Sequence, residues 1–263
     1  GPIPKRYEMN PKLSKLFYDT VLAIVGDNDD DDDEKIGYYR YAAICYLLRE
    51  EDKKIYEKRN LKVETISARL AKIMKLHLVK RLESSFSAFK KSLDNFITNT
   101  QNMIDMINAD VVFICPDIDV NEIILKEGGL ENAIPVIRKK IEKKGGNNRE
   151  FRASDLKKDE YLELLKQDLE LVRKLCDRWE KNTDDPKFGV FKSILDSELF
   201  NPSINNPNNY DKPRVVIFTE ALDTMRVLSD YAIKSGHKPL VISANNRDEK
   251  EEEIVFNFDA NCP

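Results

Sequence analysis

The chain has 263 residues, with 43 lysines and arginines against 47 aspartates and glutamates, so its formal net charge is −4. It is 41% hydrophobic and 34% charged with only 9 glycines and 11 prolines, which excludes disordered, collagen-like and disulfide-scaffold proteins. No apolar run approaches the roughly 20 residues that cross a bilayer, and the N-terminus has no apolar segment typical of a signal peptide. We therefore expect a helix-rich, cytoplasmic protein with no membrane partner.

The cysteines and histidines do not form a metal-binding pattern. The four cysteines are 70, 61 and 86 residues apart along the chain, and there are only 2 histidines. This spacing disfavours zinc and redox motifs, so we expect incidental or buried thiols and no metal ligands.

Charge is distributed unevenly along the chain. Residues 27–34 hold seven acids, a pattern typical of a solvated loop, although clustered carboxylates can also bind Ca²⁺ weakly. Residues 53–91 hold twelve basic residues against three glutamates, a local charge of +9. The second segment therefore predicts a basic surface.

Helical spacing dominates the first part of the chain. Apolar residues recur every three or four positions over 11–25, 36–48, 63–79 and 86–107, which predicts four helices. The third is predicted to be amphipathic, with a basic outer face. Its apolar side is Val63, Ile66, Leu70, Ile73 and Met74, and its basic side is Lys62, Arg69, Lys72 and Lys75.

The middle of the chain predicts one short strand and further helices. Residues 109–116 are rich in β-branched side chains and end at a proline, which indicates a strand. The acids Asp117, Asp119 and Glu122 that follow are interpreted as a solvated turn before a helix, with a carboxylate metal cluster as the alternative. Long helical patterns are predicted, bounded by turns and caps, over 133–144, 155–181 and 185–199.

The pattern changes after an Asn- and Pro-rich segment at 200–213. Residues 214–219 and 238–244 are typical of buried strands, and 221–236 is typical of a helix that ends at a glycine. This order predicts a β-α-β unit with parallel strands. A charged helical stretch follows. The predicted fold is thus a mostly α-helical domain followed by a partial α/β unit.

Known catalytic motifs are absent. The sequence contains no GxxxxGK[ST], GxSxG, HExxH or GxGxxG. We therefore expect no cofactor and no complete active site in these residues alone.

The block KPRVVIFTEALDTMRVL at 212–228 resembles the opening of the second RecA-like lobe of a superfamily II helicase. Asp185-Pro186-Lys187 opens a helix that leads into such a lobe, and LVKRLESSFSAFKKSL at 78–93 resembles the inter-lobe helical segment of bacterial Swi/Snf-type helicases. IVFNFDAN at 254–261 resembles the stretch just before the motif that couples DNA binding to ATP hydrolysis. These blocks follow the family's order and span nearly the whole chain.

The resemblance implies part of an ATP-dependent DNA helicase or translocase. Residues 1–200 would be the helical inter-lobe region, 201–212 a linker, and 213–263 the truncated start of the second RecA-like, parallel-sheet lobe. The motifs that bind ATP and Mg²⁺, and the arginine-finger motif, would lie in flanking lobes of the same polypeptide. The chain itself would not hydrolyse ATP. It would contact the phosphate backbone of DNA, without sequence preference.

The resemblance also indicates candidate DNA-binding residues. Thr219 and Thr224 fall at the strand–helix opening, which lies near the nucleic-acid backbone in these enzymes; alternatively they only end a strand and cap a helix. Basic and hydroxyl residues of 53–91 are the further candidates, with a solvated basic face and an ordinary helix break as their alternative. They are Lys80, Arg81, Ser84, Ser85, Arg69, Lys72 and Lys75.

A second hypothesis belongs to a different class of function. The chain could be a non-catalytic helical adaptor that binds an acidic protein partner through the basic surface at 53–91. The block at 212–228 favours the helicase hypothesis, because an adaptor has no need of a motor-lobe opening.

Overall fold

The computed structural model describes residues 3–26, 35–57, 61–199 and 215–258, which are mostly helical. The helices are α1 (Pro11–Val25), α2 (Glu50–Lys54), α3 (Val63–Ser84), α4 (Phe86–Asn108), α5 (Val120–Lys126), α6 (Leu130–Lys144), α7 (Lys158–Glu180), α8 (Pro186–Ser193), α9 (Leu222–Lys234) and α10 (Glu251–Phe258). None of these is long and apolar enough to cross a bilayer.

The chain divides into two compact units. The larger unit comprises Ser14–Lys80 and Lys90–Asn182, and the smaller unit comprises Gly1–Leu13, Arg81–Phe89 and Thr183–Pro263. These units are not contiguous in sequence, whereas the predicted domains followed one another along the chain.

Some predicted segments lie outside the described residues. They are the acidic loop at 27–34, the linker at 201–212 and the last part of the 254–261 block. The predicted boundary at 201–212 therefore stays a prediction.

The larger unit contains a short sheet of two antiparallel strands, β1 (Val112–Ile114) and β2 (Arg149–Phe151). Val112 pairs with Phe151, and Ile114 pairs with Arg149. The strand predicted over 109–116 is confirmed by β1. The core of this unit forms around it, because all three residues of β1 are buried among apolar side chains of α4, α5, α6 and α7.

The long helices α4 and α7 follow their predicted spacing closely. Leu165, Leu169, Val172 and Trp179 of α7 are all buried, and the Trp179 indole N–H donates to Thr20 Oγ1 at 2.9 Å. Because a buried indole N–H needs a partner, this bond fixes the contact between α7 and α1.

Residues 36–48 were predicted as an α-helix, and that prediction is wrong in type. Residues Tyr39–Tyr46 form a 3-10 helix after Tyr38, which adopts a left-handed conformation with φ 60°. The carboxylate of Asp168 accepts hydrogen bonds from the backbone N–H groups of Gly37 at 2.6 Å and of Tyr39 at 2.9 Å. An α-helix cannot extend back through residues 36–38, because Tyr38 is left-handed and these bonds hold the segment to Asp168.

The predicted two-sided pattern of α3 is wrong at several positions. Leu70 and Ile73, predicted to be core residues, are exposed. Lys75, predicted to face outward, is half-buried. Val63 is buried as predicted, and Leu78 is buried as well.

The smaller unit is built around α8 and α9. The side chain of Asp185 caps α8 by accepting from the Phe188 N–H at 2.9 Å, as predicted. Phe188 packs edge-on against Tyr231 of α9, with ring centroids 5.5 Å apart, and Lys192 lies over the Phe188 ring at 5.1 Å. A π-helical turn, Ile194–Leu199, continues α8.

The β-α-β unit predicted near the C-terminus is present only as its helix. Residues 215–219 and 238–243 form no helix and pair with no strand among the described residues. Between them lies α9, close to the predicted bounds of 221–236. The protein is thus mostly helical with one small antiparallel sheet, and its described residues form no parallel sheet.

Candidate nucleic-acid interface

Two predicted site segments meet in the smaller unit. The end of α3 contributes Arg81 and Ser84, and the start of α9 contributes Asp223 and Thr224; we call these four residues the α3–α9 cluster. The Ser84 and Thr224 hydroxyl oxygens are 3.3 Å apart, and Arg81 Nη1 lies 3.9 Å from Asp223 Oδ2. Thus three of the predicted residues contribute to one cluster although 140 residues separate Ser84 from Thr224.

Burial differs among the members of the cluster. Thr224 is only 8% exposed, whereas Ser84 is half-buried. Arg81 is partly exposed, but its Nη1 atom is buried and makes no hydrogen bond to any described residue. Asp223 therefore balances the charge of this guanidinium only at the long end of ion-pair distance.

The break between α3 and α4 is held by local hydrogen bonds. Ser85 Oγ accepts from the Ala88 N–H at 3.4 Å, so Ser85 caps α4, as its alternative of an ordinary helix break would have it. Lys187 Nζ donates to the Glu83 carbonyl at 2.8 Å, near the end of α3. A cation at this position is favourable, because the last carbonyls of a helix carry partial negative charge.

Thr219 lies just before α9. Its Oγ1 accepts from the Ala221 N–H at 3.3 Å, and its side chain is half-buried. Ala221 precedes the helix and has no side chain that could cap it. The hydroxyl of Thr219 is thus partly accessible next to a helix N-terminus, where hydrogen-bond donors to a phosphate are expected.

The other basic candidates belong to the larger unit and differ in exposure. Arg69, Lys72 and Lys80 are exposed on α3. Lys75 instead donates to the Val25 carbonyl at 2.9 Å and lies 5.5 Å from the centre of the Tyr38 ring. Burial, with a smaller effect of the nearby Lys35, lowers the pKa of Lys75.

Lys75 therefore caps the end of α1 and does not belong to an outward basic face. Its prediction as a DNA-binding residue is not supported by this position.

The acidic cluster at 117–122 has a structural role. Asp119 Oδ1 accepts from the Glu122 N–H at 2.9 Å and so caps α5. Glu122 pairs with Lys126 at 2.6 Å, and this bond lowers the pKa of the Glu122 carboxyl. These contacts support the turn interpretation over the metal alternative. Across the described ranges, no group of three or more His, Cys, Asp or Glu side chains could hold a metal ion.

Two features of the interior were missed by sequence reasoning. The buried Asp168 lies within the apolar stripe of α7, and an acid at a stripe position was the available signal. Burial raises the pKa of Asp168 to about 6, although its bonds to backbone N–H groups act in the opposite direction. Near it, the hydroxyl of Tyr161 is fully buried and has no hydrogen-bond partner among the described residues.

Comparison with known proteins gives no match: no family model fits the chain, and no curated protein or solved structure is significantly similar to it.

Proposed function

We propose that this chain is part of an ATP-dependent DNA helicase or translocase of the Swi/Snf type, in which it supplies helical segments between the two motor lobes and the start of the second lobe. The proposal is supported most directly by the meeting of three sequence blocks. These blocks are far apart in sequence: they are residues 80–85 (KRLESS), residues 185–187 and the start of α9. Ser84 contacts Thr224, and Lys187 bonds to Glu83 within the same compact unit.

The segments on either side of α9 also support this proposal. Phe218 is 91% exposed, and its neighbours Val216 and Ile217 are exposed as well. β-branched and aromatic residues of this kind are normally buried within a sheet. We propose that residues 215–219 and 238–243 are strands of a RecA-like parallel sheet whose other strands come from further parts of the same polypeptide.

The DNA contacts that we propose are those of Lys80, Arg81 and Thr219. Each is at least partly exposed, and each suits a phosphate oxygen rather than a base edge. Ser84 and Thr224 bond to each other, so we assign them the role of holding α3 to α9. ATP and Mg²⁺ would bind in flanking lobes, the isolated chain would not hydrolyse ATP, and the protein would act in the cytoplasm.

Fluorescence anisotropy with labelled duplex DNA tests the DNA part of this proposal. We expect weak binding without sequence preference, which falls steeply between about 50 mM and about 200 mM salt because phosphate contacts release counterions. Lys80→Glu should weaken binding, whereas Lys166→Glu, which changes an exposed lysine of α7 in the same unit, should not.

Two results would contradict the DNA part of the proposal. One is the absence of salt-sensitive binding near about 50 mM salt. The other is an equal loss of affinity in both variants, because a general loss of positive charge would then explain the effect of Lys80→Glu.

A further inference from the structure

The outer face of α3 carries apolar side chains that the described residues of the larger unit leave exposed. Leu70, Ile73 and Leu76 are 41%, 51% and 55% exposed. Successive members are three residues apart, so they lie along one side of the helix over about 9 Å. On its inner side the same helix buries Val63 and Leu78. Apolar residues thus occupy both the packed side and the outer side of α3.

Two cations lie beside these apolar residues. Arg69 and Lys72 are exposed, and neither makes an ion pair or a side-chain hydrogen bond with any residue that the structure describes. His77, on the next turn, is exposed as well. We call Arg69, Leu70, Lys72, Ile73 and Leu76 the outer α3 face. It combines a short apolar strip with two cations that have no acidic partner among the described residues.

This combination distinguishes among possible occupants. A DNA backbone would leave the three apolar side chains against charged phosphates, where they gain nothing from burial. A second copy of this face would bring Arg69 and Lys72 close to the same two cations, and like charges across an interface are unfavourable. An amphipathic helix with carboxylates beside its apolar residues satisfies both components.

We infer that the outer α3 face binds an amphipathic helix of a protein partner, with apolar residues at three- and four-residue spacing and with Asp or Glu beside them. The apolar strip supplies the buried area, and Arg69 and Lys72 select for acidic flanks. This inference is independent of the helicase proposal, since it requires neither DNA nor ATP.

A designed peptide tests this inference on the whole chain. The probe is a labelled helix of about 18 residues, long enough to be helical in water, with leucines at three- and four-residue spacing and glutamates on both flanks. The control peptide has lysine at every glutamate position. We expect anisotropy to show that the glutamate peptide binds at least about tenfold more tightly than the lysine peptide, because Arg69 and Lys72 attract one and repel the other.

Variants of the chain locate the binding surface. Ile73→Glu and Leu76→Glu should each weaken binding of the glutamate peptide about tenfold or more, because each removes an apolar contact and adds repulsion. Leu125→Glu is the matched control, since Leu125 is an exposed leucine, 77% accessible, on α5 of the same unit. It should leave binding unchanged. Circular dichroism should show equal helix content in all three variants, because glutamate is a good helix former.

Each of the following results would overturn the inference: binding of neither peptide, equal binding of both, or equal loss in Leu125→Glu. A wild-type dimer in ultracentrifugation that Ile73→Glu dissociates would assign the face to a second copy instead. A loss of duplex DNA affinity in Ile73→Glu with unchanged peptide binding would assign it to nucleic acid. Because Lys80→Glu reports on DNA and Ile73→Glu on the peptide, failure of one proposal is distinguishable from failure of the other.

Discussion

The contact between Ser84 and Thr224 can be measured as a coupling free energy. Thr224 is almost fully buried, so Ser84→Ala leaves its hydroxyl without this partner, and we expect a loss of about 1 to 2 kcal/mol in unfolding free energy. Thr224→Val should cost a similar amount. The double variant removes both polar groups together and should cost no more than about 2 kcal/mol. For losses of about 1.5 kcal/mol in each single variant, the coupling is therefore expected to be at least about 1 kcal/mol.

Urea unfolding followed by circular dichroism gives the four free energies of this cycle. A control cycle combines Ser84→Ala with Thr183→Val, because Thr183 is an exposed threonine of the same unit and its change should be additive. If the Ser84–Thr224 cycle is additive within about 0.3 kcal/mol, like the control, the two helix ends do not interact. The main support for the proposed function would then be lost.

Four further variants test the interior and Lys75. Tyr161→Phe removes a buried hydroxyl that has no partner among the described residues, so it should raise the unfolding free energy by up to about 1 kcal/mol. Tyr38→Phe removes a hydrogen bond donated to the Ile24 carbonyl, so it should lower the unfolding free energy by about 1 kcal/mol. Equal losses of the two variants in urea unfolding would contradict this difference. The pKa of Asp168 is raised to about 6, so its ionised form costs folding free energy that is absent at low pH and fully present above pH about 6. The stability advantage of the wild-type protein over Asp168→Asn should therefore decrease by about 2 to 3 kcal/mol from pH about 4 to about 7 in urea titrations, and an unchanged difference would contradict the assignment. Lys75→Met should cost about 1 kcal/mol of stability yet leave duplex DNA affinity unchanged, and a loss as large as that of Lys80→Glu would refute it.

The long helices could be predicted from the sequence because their apolar spacing is unambiguous. In α7 a single stripe of leucines, Val172 and Trp179 is buried as its period requires. In α3 the period is ambiguous, because apolar residues occur around most of the helix. Which of them pack is decided by contacts distant in sequence, such as that of Lys75 with Val25, and these leave no local signal.

Other features depend on partners that the local sequence does not reveal. The 3-10 helix at Tyr39–Tyr46 follows a segment held by Asp168, about 130 residues away, so local spacing alone predicted an α-helix. Strand β2 was missed because Arg149 and Glu150 lack β-strand character; it forms by pairing with β1. Residues 215–219 have strong strand character, yet a strand needs a neighbour, and none pairs with them in the described part of the chain.

Ser84, Thr224 and Arg81 were predicted separately as DNA-binding candidates, and that role stays a prediction. The structure shows that they meet in one cluster. Their pairing with each other and with Asp223 could not be predicted, because side-chain partners across 140 residues depend on the packing of whole helices.

The most direct test of the helicase proposal is to sequence the coding DNA on both sides of this segment. The proposal predicts one open reading frame that continues upstream to a GxxxxGK[ST] phosphate-binding motif with a DExx motif, and downstream to a motor motif that contains an arginine. A start codon immediately before Gly1 and a stop codon immediately after Pro263 would contradict it. The exposed apolar side chains of Val216, Ile217 and Phe218 would then require a different explanation.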